Sequence, residues 1–552
     1  MFHISLDPAY GWRKVGSVWA RGTCFDKEGS RLSAMDIAER LSGVASLDEF
    51  AERVQDANGF YAVVVIVNDM LVAAVDRIRS IPLFWGRAGN EVYLSDSSYW
   101  VADQFDSERY DEVCKREFVL TGYVTGYDTL HPNVKQLQAG EMLMCNATTT
   151  DLVCSRQRYF RLQEGMPCEA TSMNLLEQLD EAVISCFERL VSYCDGRPVA
   201  VPLSGGYDSR LIACTLKRLG YRNVVAYTYG QPGNRDSTIS KEVARNLEIG
   251  WHSVEYSNDR WYRWFRSDEC ESYMRIGHAL TSIPHLQDWP AVMELTNRKL
   301  LTPDTVIVPG HSVASISQGR LTSIAQEGEF RTTESIVDLI VSSSYNLWPL
   351  TQQDTRYLDI FRDRVRRAIG DCGESMQNAA VDAIQRWAWQ EREAKFIANW
   401  TRVYDFWGYD WWLPLWDQEL IEFWMHVPLG FRVGRRLYDE YVCKVYSQLV
   451  GISDKQAAKS EKTDAVSLAR RWLAGSWLYV PARALNDRVK VRKEFDSQPR
   501  ASYGKVGRET FSRYYTGRQT SNSFMSRYMV GDMRFDESDG LTSCWPFART
   551  SK

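Results

Sequence analysis

The chain has 552 residues, 44% of them hydrophobic and 25% charged, which fits a globular protein of about three or four domains and excludes a disordered one. Its 66 Lys and Arg against 71 Asp and Glu leave a net charge of −5, which runs against the basic excess usual in a nucleic-acid binder. The 12 cysteines form no CxxC pair, the start MFHISLDPAYGWRK has no apolar leader core, and no apolar run is long enough to span a membrane; the expectation is a cytoplasmic protein without a structural zinc site, signal peptide or membrane helix.

In chain order, the first 160 residues read as strands and turns. Phe60 to Val67 is a β-rich run that ends at Asn68-Asp69, and Leu71 to Val75 resumes it, which predicts a hairpin. Pro82 to Trp85, then Gly89-Asn90, then Val92 to Leu94 predict a second. Glu164-Gly165-Met166-Pro167 marks a boundary. From Ser172 to Cys194, Leu175, Leu176, Leu179, Val183, Ile184 and Phe187 recur at helical spacing. A short apolar strand (Pro198 to Leu203) follows, then a Gly-rich turn, a helix (Arg210 to Leu219), a strand (Val224 to Tyr229) and a helix (Ser237 to Leu247). That alternation predicts an α/β domain with a parallel sheet. Beyond about residue 330 the chain reads as helical. Trp400, Trp407, Trp411, Trp412, Trp416 and Trp424 suit either an aromatic ligand wall or, more commonly, buried core. Arg402, Asp405 and Asp410 within that run are candidates for binding a charged substrate, and Arg362-Asp363-Arg364 reads as a solvated helix face. The last 70 residues, rich in Arg, Ser and Tyr, show little periodicity.

The informative stretch is Val201 to Ile212, VPLSGGYDSRLI. Two glycines let a backbone approach closely, and N–H groups at a helix start point at an anion. Ser204 and Ser209 add hydroxyls. Asp208 is an odd neighbour for a phosphate unless a divalent cation lies between them. The loop lacks the GK[ST] of a Walker motif; a plain strand-to-helix turn is the alternative.

SGGYDS resembles the SGGxDS pyrophosphate loop of the N-type ATP pyrophosphatases, as in asparagine synthetases. Tyr227 to Gly233, Asn234 to Leu247, His252 to Glu255 and Leu413-Pro414-Leu415-Trp416-Asp417 resemble later parts of that domain. In the first half, Asn58-Gly59-Phe60-Tyr61-Ala62, Val75-Asp76-Arg77, Ile81 to Phe84, Leu94-Ser95-Asp96 and Leu137 to Glu141 are similar to segments of class II glutaminase domains. The order is that of asparagine synthetases, β-lactam synthetases and lasso-peptide cyclases. The resemblance implies an Ntn-hydrolase-like α+β sandwich (1–165), a doubly wound parallel-sheet ATP pyrophosphatase domain with a helical C-terminal part (166–480), and an unassigned extension (481–552).

The implied chemistry is ATP-dependent and Mg²⁺-assisted. A substrate carboxylate, from a sugar or a peptide, attacks ATP to give an acyl-adenylate, and an amine then displaces AMP. Ser204, Gly205, Gly206 and Ser209 would hold the pyrophosphate, Asp208 the metal, and Tyr229 and Gly310 would contact adenine. His311, Lys459 and Lys462 are the catalytic candidates, and His285 is a candidate lining residue or a structural histidine. Two departures matter. Position 2 is Phe, where a class II glutaminase has its Cys nucleophile; Cys24 is the nearest thiol and lies well inside the domain. Glutaminase activity is therefore expected to be absent, with ammonia or a substrate amine as nucleophile. The second acidic metal ligand is also missing: its place, after Val308-Pro309-Gly310-His311-Ser312-Val313, is held by Ala314. Asp304 or another carboxylate substitutes, or the alignment shifts, or the site is weak. A non-catalytic scaffold subunit is the rival reading. A tRNA-modifying pyrophosphatase is disfavoured by net charge and by the glutaminase-like first half.

Overall fold

The computed structural model describes residues 1–311, 332–370, 377–458 and 493–536, apart from 45, 68, 108, 148–151, 164, 166–170 and 353. The first half holds strands β1 (Phe2–Ser5), β2 (Arg13–Val15), β3 (Val18–Phe25), β4 (Arg31–Leu32), β5 (Asn58–Val67), β6 (Met70–Val75), β7 (Phe84–Ala88), β8 (Glu91–Ser95), β9 (Lys135–Gln136), β10 (Glu141–Ala147) and β11 (Leu152–Arg158). One sheet runs β1-β8-β7-β9. The other runs β11-β10-β6-β5-β3-β2, with β4 on β3. Both predicted hairpins are present, β5 antiparallel to β6 and β7 to β8.

Two-residue alternation decides which core each side chain joins. Phe60, Ala62 and Val64 of β5 face the large core shared with Val92 and Leu94. Tyr61, Val63 and Val65 face Ile37, Leu41, Phe50 and Val54, on the helices Ala34–Ser42 and Leu47–Asp56. Strand β5 is thus covered on both sides, which explains its unbroken apolar run.

The second half is built on five strands: β12 (Val199–Pro202), β13 (Val224–Gly230), β14 (Gly250–Glu255), β15 (Val306–Ile307) and β16 (Asp410–Trp411). They lie in the order β14-β13-β12-β15-β16, with every pairing parallel. The predicted helix from Ser172 to Cys194 is observed over those residues. The helices that follow β12 and β13 span Tyr207–Arg218 and Arg235–Asn246. The chain winds outward from β12 to β14 and then returns to β15 on the other side of β12. The gap between the carboxyl ends of β12 and β15 is therefore a topological switch point, where ligands bind in open α/β sheets.

Side chains from distant motifs join the two halves. The Asn58 side chain donates to Asp417 (3.2 Å) and accepts from the Gln418 N–H (3.0 Å). The Asp417 carboxylate also takes two bonds from Arg189, each 2.7 Å. Arg402 and Asp405, read from sequence as substrate-binding candidates, instead tie the halves together. Asp405 pairs with Arg21 of β3 (3.0 Å) and with Arg402 (2.8 Å), and Arg402 donates to the Ser80 carbonyl (2.6 Å). Burial pushes the Asp405 carboxyl up, but the two guanidiniums outweigh it and hold it below the ordinary value. The tryptophans are largely core: Trp411, Trp412, Trp416 and Trp424 are buried, and the Trp412 ring meets Phe60 at 4.8 Å. Arg364 also departs from expectation; its side chain is buried against Glu117 and Asp128 rather than solvated.

The C-terminal stretch folds onto the second half. Gln231 N–H bonds to the Pro499 carbonyl (2.6 Å), and the Trp261 indole to the Arg500 carbonyl (2.8 Å). Helices Arg508–Tyr514 and Ser521–Met529 bury Phe511, Phe524, Met525 and Met529. Among the described residues, no helix is long and apolar enough to cross a membrane.

Gly504 sits so close to Asn258 that a Cβ would lie 2.3 Å from that residue's carbonyl oxygen. Gly504→Ala should lower stability by about 1–3 kcal/mol and expose 493–536 to limited proteolysis. An unchanged cleavage pattern and denaturation midpoint would show that the segment is not held there.

Candidate functional site

The loop after β12 ends in a helix whose N-cap is Gly206, with no side-chain cap. The first-turn N–H groups of that helix therefore remain available to an anion. Its two hydroxyls brace the loop from inside: Ser204 N–H bonds to the Ser209 hydroxyl (3.1 Å), and Gly206 N–H to the Ser204 hydroxyl (3.2 Å). The buried Arg210 guanidinium reaches the Gly205 carbonyl (3.3 Å) and the Ala457 carbonyl (3.2 Å). Gly310, just beyond β15, packs against this first turn. A Cβ there would stand 2.8 Å from Ser209 N and 3.1 Å from the Asp208 carbonyl carbon. The sequence-predicted Ser204, Gly205, Gly206, Asp208, Ser209 and Gly310 thus share one place, at the switch point.

Two carboxylates flank the loop, and each faces an arginine. Asp208 pairs with Arg435 at 3.2 Å. Burial raises its pKa, while Arg435 and a hydrogen bond from Tyr438 pull it back. Arg435 stands at φ 55°, after Gly434 at φ 72°, at the start of the helix Arg436–Val450; it also pairs with Asp439 at 3.1 Å. The second carboxylate is Asp236, whose Oδ1 would lie 3.0 Å from a Cβ on Gly205. Arg500 of the C-terminal segment approaches it to 3.7 Å. Sequence reasoning missed Arg435, Asp236 and Arg500 as site residues. Asp304, weighed as a replacement ligand, is exposed and precedes β15, so it lies at the strand end away from Gly310. Ala314, Lys459 and Lys462 lie outside the described residues.

Beside the loop lies an aromatic and polar layer. Tyr229, at the carboxyl end of β13, stacks on Tyr256 at 5.1 Å. His311 and His285 both contact Trp400, with ring centroids 4.5 and 3.8 Å away. Burial holds His311 down to about 3, so it is neutral at pH 7; it can hydrogen-bond but is a weak base. His285 is likewise held well down by burial, with His311 adding to the effect. Asp288 is fully buried and accepts from Tyr404 (2.7 Å) and Tyr227 (2.9 Å). Among the described residues, no group of three or more His, Cys, Asp or Glu is placed to hold a metal.

The asparagine synthase family model matches residues 174–267. That segment carries the loop, β12, β13 and β14, and it is asparagine-synthase-like. The tRNA(Ile)-lysidine synthase of Parabacteroides distasonis is 31% identical over 120 residues, 18% of this chain and 26% of that protein. The tRNA(Ile)-lysidine synthase of Porphyromonas gingivalis is 32% identical over 71 residues, 12% of this chain and 16% of that protein. The chain thus matches only a minor part of the length of these curated relatives. Among solved structures, the NH3-dependent NAD synthetase from Campylobacter jejuni in complex with the nitrate ion is 13% identical. It covers 39% of this chain and 93% of its own, with a TM-score of 0.20. The glutamine phosphoribosylpyrophosphate amidotransferase from B. subtilis complexed with ADP and GMP is 9% identical. It covers 55% of this chain and 64% of its own, with a TM-score of 0.19.

Asp288 supplies a pH signature. Burial raises its carboxyl from 3.8 to about 6, against the hydrogen bonds from Tyr404 and Tyr227. The native state therefore holds a proton that the unfolded chain releases, and stability falls as pH rises through that window. At about 1.4 kcal/mol per pKa unit the loss approaches about 3 kcal/mol. Asp288→Asn should gain stability relative to the parent by up to that amount between pH 4 and pH 7. Parallel stability–pH curves for the two proteins would refute the assignment.

Proposed function

We propose that this chain forms an amide or related C–N bond driven by ATP, through an adenylated carboxylate. The observation that carries the reading is a Gly-Gly loop with an uncapped helix start, set at the switch point of a parallel sheet, inside the segment that the asparagine synthase model matches. The residues present suit a nucleotide. Gly205 and Gly206 leave room for phosphate oxygens beside the first-turn N–H groups, and Ser204 and Ser209 line the same loop. Magnesium brought with a nucleotide needs only one or two protein carboxylates, because phosphate oxygens and water complete its shell. Asp208 and Asp236 would hold it, and when bound it neutralises phosphate charge.

In the proposed sequence a substrate carboxylate oxygen attacks the α-phosphorus and pyrophosphate leaves. An amine nitrogen then attacks the acyl carbon, AMP leaves, and the nitrogen loses a proton. The protein's part is mainly positioning and charge balance. Ser204, Gly205, Gly206 and Ser209 grip the pyrophosphate, while Tyr229 and Gly310 border the adenine. Arg435 and Arg500 sit where displaced guanidiniums can turn from carboxylates to phosphates. His311 stays neutral, and Lys459 and Lys462 remain the proposed source of positive charge during acyl transfer. The acyl donor is proposed to be a small-molecule, sugar or peptide carboxylate, and neither nucleic acid nor membrane enters the reaction. The net charge of −5 supports that choice, although the curated relatives are named for tRNA(Ile).

Nitrogen comes from ammonia or a substrate amine. Phe2 lies in β1, paired with Val92 of β8, and offers no nucleophile. Cys24 is buried in β3, and burial pushes its thiol up to about 12, far from the thiolate that catalysis requires. Purified protein given glutamine should release no ammonia above background, and steady release would contradict this.

A second reading, a non-catalytic scaffold, draws on the pairing of Asp208 with Arg435 and of Asp236 with Arg500. Pyrophosphate–ATP exchange with Mg²⁺ and a panel of carboxylates separates the two. Exchange with at least one carboxylate, lost by about 100-fold or more in Asp208→Asn, is expected. No exchange with any carboxylate, together with no ATP binding by calorimetry, would leave the scaffold.

A further inference from the structure

Away from the phosphate loop, a cavity of about 270 Å³ opens between the first sheet system and two helices of the second half. Six arginines line it. Arg156, Arg158 and Arg161 come from β11 and the turn after it. Arg364 and Arg367 come from the helix Leu358–Ile369, and Arg386 from the helix Gln377–Trp387. Asp128 is the one carboxylate in the lining. In a chain of net charge −5, this concentration of one sign needs a physical account.

Part of the charge is already answered. Arg364 pairs with Glu117 (3.2 Å) and Asp128 (3.1 Å), Arg156 with Glu141 (3.3 Å), and Arg386 with Asp382. The remainder is not. Arg158 donates to the Ala139 carbonyl (2.6 Å) and the Gln138 side-chain oxygen (2.7 Å), both neutral. Arg367 donates to the Asp363 main-chain carbonyl (3.3 Å). Among the described residues, neither of these nor Arg161 has a carboxylate partner. Arg386 also has a buried Nε–H with no hydrogen-bond acceptor. Three guanidiniums without a carboxylate partner among the described residues repel one another around one concave space. An oxyanion there would remove the repulsion and accept paired N–H bonds.

We infer that this cavity binds a small phosphate-bearing anion, held chiefly by Arg158, Arg161 and Arg367. Its volume lies just below the usual range for whole-ligand pockets, which suits pyrophosphate or a compact phosphomonoester and excludes a full nucleotide lying within it. Arg156 lies 3.6 Å over the Tyr127 ring, so one wall is flat and aromatic beside the charged ones. The occupant would bridge β11 to the helices at 358–387. The inference does not depend on the proposed ATP chemistry.

The test compares the full chain with a double variant, Arg161→Gln with Arg367→Gln, both of which are exposed positions and leave the fold's core untouched. Thermal unfolding is followed with inorganic pyrophosphate, a hexose phosphate or citrate at matched ionic strength. The parent should gain several degrees with a phosphate compound, and the double variant should lose most of that gain. Any contribution from the phosphate loop is common to both proteins and cancels. Equal gains in parent and variant, or no gain in either, would overturn the site. A gain with citrate as large as with the phosphates would overturn the phosphate assignment. Protection by pyrophosphate but not by the hexose phosphate would assign the site to inorganic polyanion, and the reverse to a phosphorylated metabolite.

Discussion

The structure turns on the close approach of Gly310 to the first turn of the helix Tyr207–Arg218. Strands β12 and β15 are neighbours in the sheet although about a hundred residues separate them in the chain. The loops that leave their carboxyl ends must therefore share a narrow space. A Cβ at position 310 would lie 2.8 Å from Ser209 N, closer than packing tolerates. A glycine there lets the second loop lie against the first. That contact fixes where the crevice opens, and the next residue, His311, lies against Trp400, on which His285 also stacks. The packing of the loop at the switch point and the placing of His311 in the aromatic layer thus both depend on one absent side chain.

Charge balance around the crevice is assembled from parts of the chain that are far apart. Asp208 belongs to the loop itself, and Asp236 to the first turn of the next helix. Their partners, Arg435 and Arg500, arrive from 227 residues away and from the C-terminal segment. Asp208 without its guanidinium would be a largely buried charge, which is costly, whereas Asp236 and Arg500 form a half-exposed pair at the crevice mouth. Docking of the C-terminal segment onto Trp261 and Gln231 brings Arg500 beside Asp236. The segment is part of the crevice wall and not an appendage to it.

The elements legible in the sequence owe their signal to local periodicity. The helix from Ser172 to Cys194, the two hairpins and the β12–loop–helix unit each carry it within a dozen or two residues, where apolar spacing and glycine placement act directly. The same holds for Ser204 to Ser209. Arg435 and Arg500 carried no such signal, because an isolated arginine in a polar stretch looks the same whether it faces water or a buried carboxylate. Arg364 shows the cost of that ambiguity: within Arg362-Asp363-Arg364 one arginine is half exposed and the other is sealed against Glu117. Arg402 and Asp405 were visible as charges, but not that Asp405 also pairs with Arg21, which lies nearly four hundred residues earlier. Asn58 and Asp417 were each tied to a separate motif. Nothing local could show that they hydrogen-bond to one another.

That last pair bears on what the first half does for the second. Asn58, Arg21 and Phe60 hold Asp417, Asp405 and Trp412 of the second half. Losing the Asp405 carboxylate would leave Arg21 and Arg402 buried without their shared partner and cost about 3–5 kcal/mol, a large share of a typical domain's stability. Trp411 lies on the edge strand β16, next to β15, so a disturbance at the first sheet passes through one strand before it reaches the Gly310 loop. The first half therefore acts on the crevice as a wall whose removal would expose β16 and loosen β15. Packing and ion pairs thus link the first sheet to the strand beside β15.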